Sequence, residues 1–346
     1  MSVAEMQAIA KAMVVKGKGI LAADESFGTA NKRFQSLGIP TTEAMRRAYR
    51  GMLLTTPHIN QFLSGVILFD ETIRQFTQAG IAFPQLLINA GIIPGIKLDG
   101  GTKPLAGSSQ ELITEGLDGL RDRIAEYYDL GARFAKWRAV FRITEQTPSP
   151  VALEANADAL ARYAALCQEG GLVPIVEPEV LMDANHTIER SFVVHQDVLQ
   201  HVFDRLYLYN VQLDQMILKP SMVIAGMDCP QQASVEEVAS LTVHCLRDRV
   251  PASVPGCAFL SGGQSDERAT AHLNAMNRLF KGQLPWNLTF SYGRALQQAA
   301  MKTWRGKPEN VAAAQKVFYR RAQLTSAATW GDYTAEMEKE ELAFVS

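Results

Sequence analysis

Cysteine is scarce in this chain, and what there is does not pair. Cys167, Cys229, Cys245 and Cys257 form no C-x-x-C motif. That removes the usual signature of a zinc knuckle or a dithiol redox site and leaves reduced thiols in a reducing compartment as the simplest reading. No apolar run is long enough to span a bilayer, and the N-terminus lacks the basic-then-apolar layout of a secretion signal. A cytoplasmic protein is expected, although a plastid protein in mature form would read the same. An excess of either charge is also missing. The 34 basic and 36 acidic residues leave a formal net charge of −2, so neither nucleic acid nor a membrane surface is expected as a partner. No G-x-G-x-x-G follows the first apolar run and no G-x-S-x-G elbow occurs, which argues against a dinucleotide fold and a serine hydrolase.

What is present is apolar material in short, regular pieces. Of 346 residues, 47% are hydrophobic and 20% charged, ordinary for a globular chain with a large core. Eight short apolar runs end in polar residues: Gly19–Asp24, Gly65–Asp70, Pro94–Asp99, Ala132–Arg138, Val173–Glu179, Met216–Lys219, Cys257–Ser261 and Leu288–Ser291. Helical spacing separates many of them, over Leu112–Leu130, Leu153–Cys167, Ile188–Leu206 and Val235–Leu246. Alternating strands and helices predict parallel βαβ units, and eight at this length predict a single-domain (β/α)₈ TIM barrel. Residues 1–18 precede it as a helical segment, with Val3, Met6, Ile9, Ala10 and Met13 on one stripe and Ser2 and Glu5 fitting a capping box. Residues 296–346 form a C-terminal extension, helical through Phe318 and then less regular.

In such a barrel the chemistry sits where the strands end, at their C-terminal rim. The rim candidates are Asp24, Asp70, Lys97, Lys136, Arg138, Glu177, Glu179, Lys219, Ser261 and Ser291. Residues two apart on a strand share a face, which pairs Lys136 with Arg138 and Glu177 with Glu179. Met216-Ile-Leu-Lys219-Pro220 delivers one ammonium group from a buried strand to the rim. Burial disfavours its charge, a neighbouring cation such as Lys136 adds to that, and a neutral amine attacks carbonyls to form Schiff bases. Two carboxylates side by side make Glu177 or Glu179 a candidate general acid. The bland alternative is that these lysines and acids form structural ion pairs.

Two glycine turns follow the last two runs, Ser261-Gly262-Gly263-Gln264-Ser265 and Ser291-Tyr292-Gly293-Arg294-Ala295. Loops after strands 7 and 8 are the usual phosphate site of this barrel, and Arg294 supplies a bidentate donor. Arg33 and Lys97 offer a second cationic cluster across the mouth, so a bisphosphorylated small molecule is expected. The six histidines (His58, His186, His195, His201, His244 and His272) fall outside the rim. No zinc-type site is therefore expected; a magnesium site built from acids stays open.

The motifs Leu21-Ala-Ala-Asp-Glu-Ser26, Phe134-Ala-Lys-Trp-Arg138, Val173-Pro-Ile-Val-Glu-Pro-Glu179, Leu218-Lys-Pro220, Phe259-Leu-Ser-Gly-Gly-Gln-Ser265 and Phe290-Ser-Tyr-Gly-Arg-Ala295 resemble those of the eukaryotic-type class I fructose-1,6-bisphosphate aldolases. The likeness runs from about residue 15 to 310. It implies a metal-independent lyase without cofactor, usually a homotetramer, that cleaves fructose 1,6-bisphosphate to dihydroxyacetone phosphate and glyceraldehyde 3-phosphate. By matching motif it implies Lys219 as the Schiff-base lysine, Glu177 as the acid/base of carbinolamine dehydration and Asp24 as the base for the C4 hydroxyl. Lys136 then orients substrate and favours a neutral Lys219, while Glu179 tunes the cluster. Ser261, Gly262, Gly293 and Arg294 match the ketone-end phosphate site, Arg33, Lys97 and Ser26 the other, and Arg138 shapes the charge beside Lys136. The family commonly ends in a tyrosine implicated in proton exchange; this chain ends Glu341-Leu-Ala-Phe-Val-Ser346, and Tyr333 resembles an earlier tyrosine of that tail. The alternatives are a Schiff-base lyase for another sugar phosphate, or a scaffold that binds a protein partner.

Overall fold

The computed structural model describes residues 1–339. Eight parallel strands close into a barrel: β1 Gly19–Ala23, β2 Leu63–Leu68, β3 Ile93–Lys97, β4 Phe134–Phe141, β5 Val173–Val180, β6 Ile217–Leu218, β7 Gly256–Phe259 and β8 Asn287–Tyr292. Each strand pairs with its sequence neighbours, and β8 returns to β1. All eight coincide with the apolar runs of the sequence. They are buried on both faces, which is why their sequences are continuous apolar runs rather than alternations. One face packs outward on the helices, through Leu21, Ala135, Trp137, Val176 and Leu218. The other fills the barrel, with Ile20, Ile67, Phe134, Ile175, Ile217 and Ala258 in one cluster. Phe134 occupies the centre because β3 offers glycine there: a Cβ on Gly95 would stand 2.3 Å from its ring.

The Val3–Met13 helix closes the lower end of the barrel. Its capping box is present, Ser2 accepting from the Glu5 N–H while Glu5 accepts from the Ser2 N–H. Met6, Ala10 and Met13 are buried against the inward-facing strand residues. Each methionine so buried contributes about 1.5–3 kcal/mol. Val3, from the same predicted stripe, is exposed.

Two predicted helices need correction. Leu112–Thr114 is a strand, paired antiparallel with Thr102–Pro104 in a hairpin over the barrel mouth. The helix starts only at Leu120. Gly116 and Gly119, at φ +123° and +65°, break the backbone where the apolar spacing still looks helical. At the C-terminus the helix does not fade at Phe318; Val311–Trp330 is continuous and stops at Gly331, φ +81°. Its Thr and Ser residues are tolerated because Thr325 donates to the Arg321 carbonyl and Thr329 to that of Ser326. The ending Glu341–Ser346 lies outside the described residues.

Candidate active site

The strand ladder decides which side chains meet. Ile175 on β5 is in register with Ile217 on β6, so two residues further on Glu177 stands opposite Lys219, on the same inward face. Lys97 is in register with Lys136, and Arg138 with Glu177. Lys219 is fixed on both sides. Its N–H donates to the Val176 carbonyl at 2.8 Å, and the Pro220 carbonyl accepts from the Leu260 N–H at 3.2 Å. Proline contributes no donor of its own, which ends the strand at this point.

Every catalytic and binding residue singled out from the sequence, Asp70 excepted, lines one cavity of about 750 Å³ at the C-terminal rim. Lys136 Nζ is its electrostatic hub, 2.8 Å from Asp24 Oδ2, 3.4 Å from Glu177 Oε2 and 3.7 Å from Asp99 Oδ2. Lys219 Nζ is 3.0 Å from Glu177 Oε1, and Lys97 Nζ is 2.5 Å from Asp99 Oδ1. Burial alone would strip the proton from Lys136, but Asp24, Glu177 and Asp99 raise its pKa above the ordinary lysine range. Burial likewise opposes ionisation of Asp24, yet Lys136, Lys219 and Lys97 hold its carboxyl at about 2. A charged Lys136 and a charged Asp24 follow.

Glu177 and Glu179 do not form a carboxyl pair. Both face the cavity, but Glu177 is bound between Lys219 and Lys136, whereas Glu179 Oε2 accepts from Arg138 Nε at 2.5 Å. Each has its own cation, so mutual repulsion is not what sets their chemistry. Asp70 leaves the group altogether. It opens a short helix and its half-exposed carboxylate bonds Arg74 and the Tyr127 hydroxyl.

Two acidic residues of the cavity were not singled out as candidates. Asp99 is buried and accepts from Lys97, from the Gly101 N–H and from the Arg138 N–H; its signal was the two-residue spacing from Lys97, the same spacing that exposed the pairs on β4 and β5. Glu25 turns the opposite way from Asp24 and holds Arg33 at 2.5 Å and Arg50 at 2.7 Å, and Gln297 Nε2 donates to it at 3.0 Å. No local signal distinguishes it.

In the turn after β7, Gly262 and Gly263 adopt φ +58° and +95°. Arg294 opens the Arg294–Trp304 helix, with Gly293 at its N-cap. The buried Ser291 Oγ lines the cavity without a partner among the described residues. Open helix N–H groups, left-handed glycines, an exposed arginine and a free hydroxyl on one wall suit an oxyanion. Tyr333 is elsewhere: its hydroxyl donates to Glu338 Oε1 and its N–H to Asn274 Oδ1.

The family model described as fructose-bisphosphate aldolase class-I matches residues 5–345. The chain belongs to the class I fructose-bisphosphate aldolases. A Xylella fastidiosa protein named "Probable fructose-bisphosphate aldolase class 1" is 58% identical over 334 residues, 96% of this chain and 99% of that one. The cytosolic fructose-bisphosphate aldolase 4 of Arabidopsis thaliana is 52% identical over 93% of this chain and 82% of its own length. Among solved structures, the Plasmodium falciparum aldolase, crystallised with TRAP and a small molecule inhibitor, superposes with a TM-score of 0.94 at 48% identity, covering 96% of each chain. The aldolase is a carbon–carbon lyase of sugar phosphates, and a silent scaffold finds no support in these likenesses. Among the described residues no helix is long and apolar enough to cross a membrane.

Proposed function

We propose that Lys219 forms the Schiff base through which this aldolase cleaves fructose 1,6-bisphosphate. The observation that carries the assignment is the separation of three lysines by their partners. Lys97 and Lys136 each lie within 2.8 Å of an aspartate, at 2.5 and 2.8 Å, while Lys219 meets only Glu177 among the ion pairs of the described residues. An amine must shed its proton to attack, and Glu177 Oε1 at 3.0 Å is within reach to receive it. The same carboxyl then returns a proton to the departing hydroxyl of the carbinolamine, leaving an iminium on Lys219 and a molecule of water.

Asp24 takes the proton of the C4 hydroxyl. As that oxygen becomes a carbonyl, the C3–C4 bond breaks and its electron pair moves into the iminium as an enamine. Lys136 stays charged throughout and orients the substrate oxygens; Glu179 and Arg138 fix the charge beside it. Ser261, Gly262, Gly263, Ser291, Gly293 and Arg294 take the ketone-end phosphate. Arg33, Lys97 and Ser26 take the other. The ion pair of Arg33 with Glu25 makes this second site one in which the phosphate competes with a carboxylate. The assembly is a cytoplasmic homotetramer, for which exposed Val193, Tyr207 and Leu208 supply apolar surface.

The test is reduction with borohydride in the presence of dihydroxyacetone phosphate, followed by peptide mapping. A single adduct on Lys219 is the expected result. An adduct on Lys136 or Lys97 would overturn the assignment.

A further inference from the structure

The turn after β7 has two consecutive glycines, and glycine-rich backbone has the most freedom to lose when it is held in one conformation. Something must hold it if its N–H groups are to meet a phosphate in a fixed geometry. Gln264 is buried between the exposed Gly263 and Ser265. Its backbone N–H and its side-chain Nε2 both donate to the Ser261 carbonyl, each at 3.1 Å, so the amide folds back across the turn. The same Nε2 lies 3.6 Å from the sulfur of Met222, three residues beyond Lys219. The Oε1 of Gln264 meets His272 Nδ1 at 2.6 Å.

This chain of contacts has only one consistent proton arrangement. The Ser261 carbonyl can only accept, so the amide NH₂ must face it. Oε1 can only accept in turn, so His272 Nδ1 carries the hydrogen. The opposite ring nitrogen, Nε2, is buried without a partner among the described residues. A second proton there would have no acceptor; burial first, and Arg268 second, lower the His272 pKa to about 4. The imidazole is neutral, with one tautomer.

The helix bearing His272, Asp266–Leu279, is itself fastened. The Tyr292 hydroxyl of β8 donates to the Ala269 carbonyl at 2.9 Å, and Arg321 donates to Thr270 Oγ1 at 3.1 Å. We propose that Gln264 and His272 are positioning residues for the ketone-end phosphate: a neutral histidine on a fixed helix holds the glutamine that holds the Ser261–Gly263 backbone. This rests on the phosphate reading of that turn given above. Neither residue touches substrate. Their effect is on affinity for one substrate end, because the Gln264 amide folds back on the Ser261 carbonyl, within the turn that forms the ketone-end wall.

The experiment uses the full-length enzyme in the condensation direction, where the two triose phosphates have separate KM values. His272→Leu removes the donor and leaves Oε1 buried and unpaired. It should raise KM for dihydroxyacetone phosphate about tenfold, the scale of a lost buried hydrogen bond. KM for glyceraldehyde 3-phosphate should stay within about twofold of its original value on the same scale. His272→Asn puts an amide N–H where Nδ1–H was and should restore most of the affinity. If His272→Leu does not fold, Gln264→Met cuts the same contacts from the turn side. Arg294→Ala separates the two readings. If it weakens dihydroxyacetone phosphate while neither His272→Leu nor Gln264→Met does, the positioning role is wrong and the phosphate site stands. If none of the three has an effect, the phosphate site is wrong and the positioning role goes with it. Equal losses for both trioses, without rescue by asparagine, would reduce His272 to a core residue and overturn the proposal.

Discussion

Lys219 Nζ and Glu177 Oε1 lie 3.0 Å apart, both on buried side chains. The contact is a product of the β5–β6 register rather than of two long side chains finding each other, since Ile175 and Ile217 are already paired two residues below. Glu177 also reaches Lys136 through its other oxygen. One carboxylate therefore connects the proposed Schiff-base lysine with Lys136.

Glu177→Gln tests that connection. The amide keeps the shape but can neither take the Lys219 proton nor return one to the carbinolamine hydroxyl. Loss of a positioned acid/base is typically worth about 10²–10⁴-fold, and kcat should fall by that much while KM changes far less. Trapping by borohydride should slow but still map to Lys219. A fall in kcat of less than about tenfold would sit outside that range and point to another acid. Glu179, the next carboxylate along β5, would then have to leave Arg138 to act.

Prolonged treatment with EDTA should leave activity unchanged, because an iminium conjugated to the breaking bond takes up the electron pair that a metal ion stabilises in other aldol-cleaving sites. Activity assayed after dialysis checks this. Loss on chelation with recovery on adding Zn²⁺ or Mg²⁺ would contradict the Schiff-base route.

Much of the barrel was legible because parallel strands buried on both faces spell themselves as short apolar runs, and a polar residue at the end of such a run has only the rim to occupy. The period of two then put Lys136 with Arg138 and Glu177 with Glu179 on one side. What the same period could not supply was the partner across the sheet. Glu177 reads as the neighbour of Glu179 along the chain, yet its real neighbours are Lys219 and Lys136, one strand away on either side. Asp99 was invisible as a hub because, beyond Lys97 and Gly101 two residues away on either side, its contacts with Arg138 and Lys136 come from the neighbouring strand. The hairpin over the mouth was misread for a different reason. Ile113, Leu117 and Leu120 keep a helix-like spacing, and the left-handed backbone at Gly116 and Gly119 breaks it.

Asp24 should reveal itself in the pH dependence of stability. Its folded pKa of about 2 lies below the ordinary value of 3.8, so its ionised form favours the folded state. That contribution is fully present above the unfolded pKa and is lost as pH falls through the folded one. It amounts to about 2 kcal/mol by linkage. Urea denaturation of the enzyme and of Asp24→Asn should show a constant difference above about pH 5 that shrinks by this amount on going to about pH 2. A difference that stays level across that window would mean the three lysines do not hold the charge. The variant should also lose cleavage, since an amide cannot take the C4 hydroxyl proton.

The most severe substitution in the cluster should be Lys136→Met, even though in the proposed mechanism this lysine forms no bond to the carbon skeleton. Its ammonium is the common partner of Asp24, Asp99 and Glu177, and methionine retains the apolar stem that follows Phe134 up the inner face of β4. Removing one partner of a buried ion pair typically costs about 3–5 kcal/mol, because the charges left behind are uncompensated. Here Lys97 and Lys219 remain to share the deficit, so the loss should fall toward the lower end. The pH range is the telling part. Carboxylates crowded together without their cation are relieved by taking up a proton, so the deficit of this variant should already shrink as pH is lowered from 7 to 4, in the same direction as for Asp24→Asn but at higher pH. Parallel urea titrations at pH 7, 5.5 and 4 would show it. A deficit independent of pH would mean that Lys136 matters for packing, and that the three carboxylates already have other partners enough.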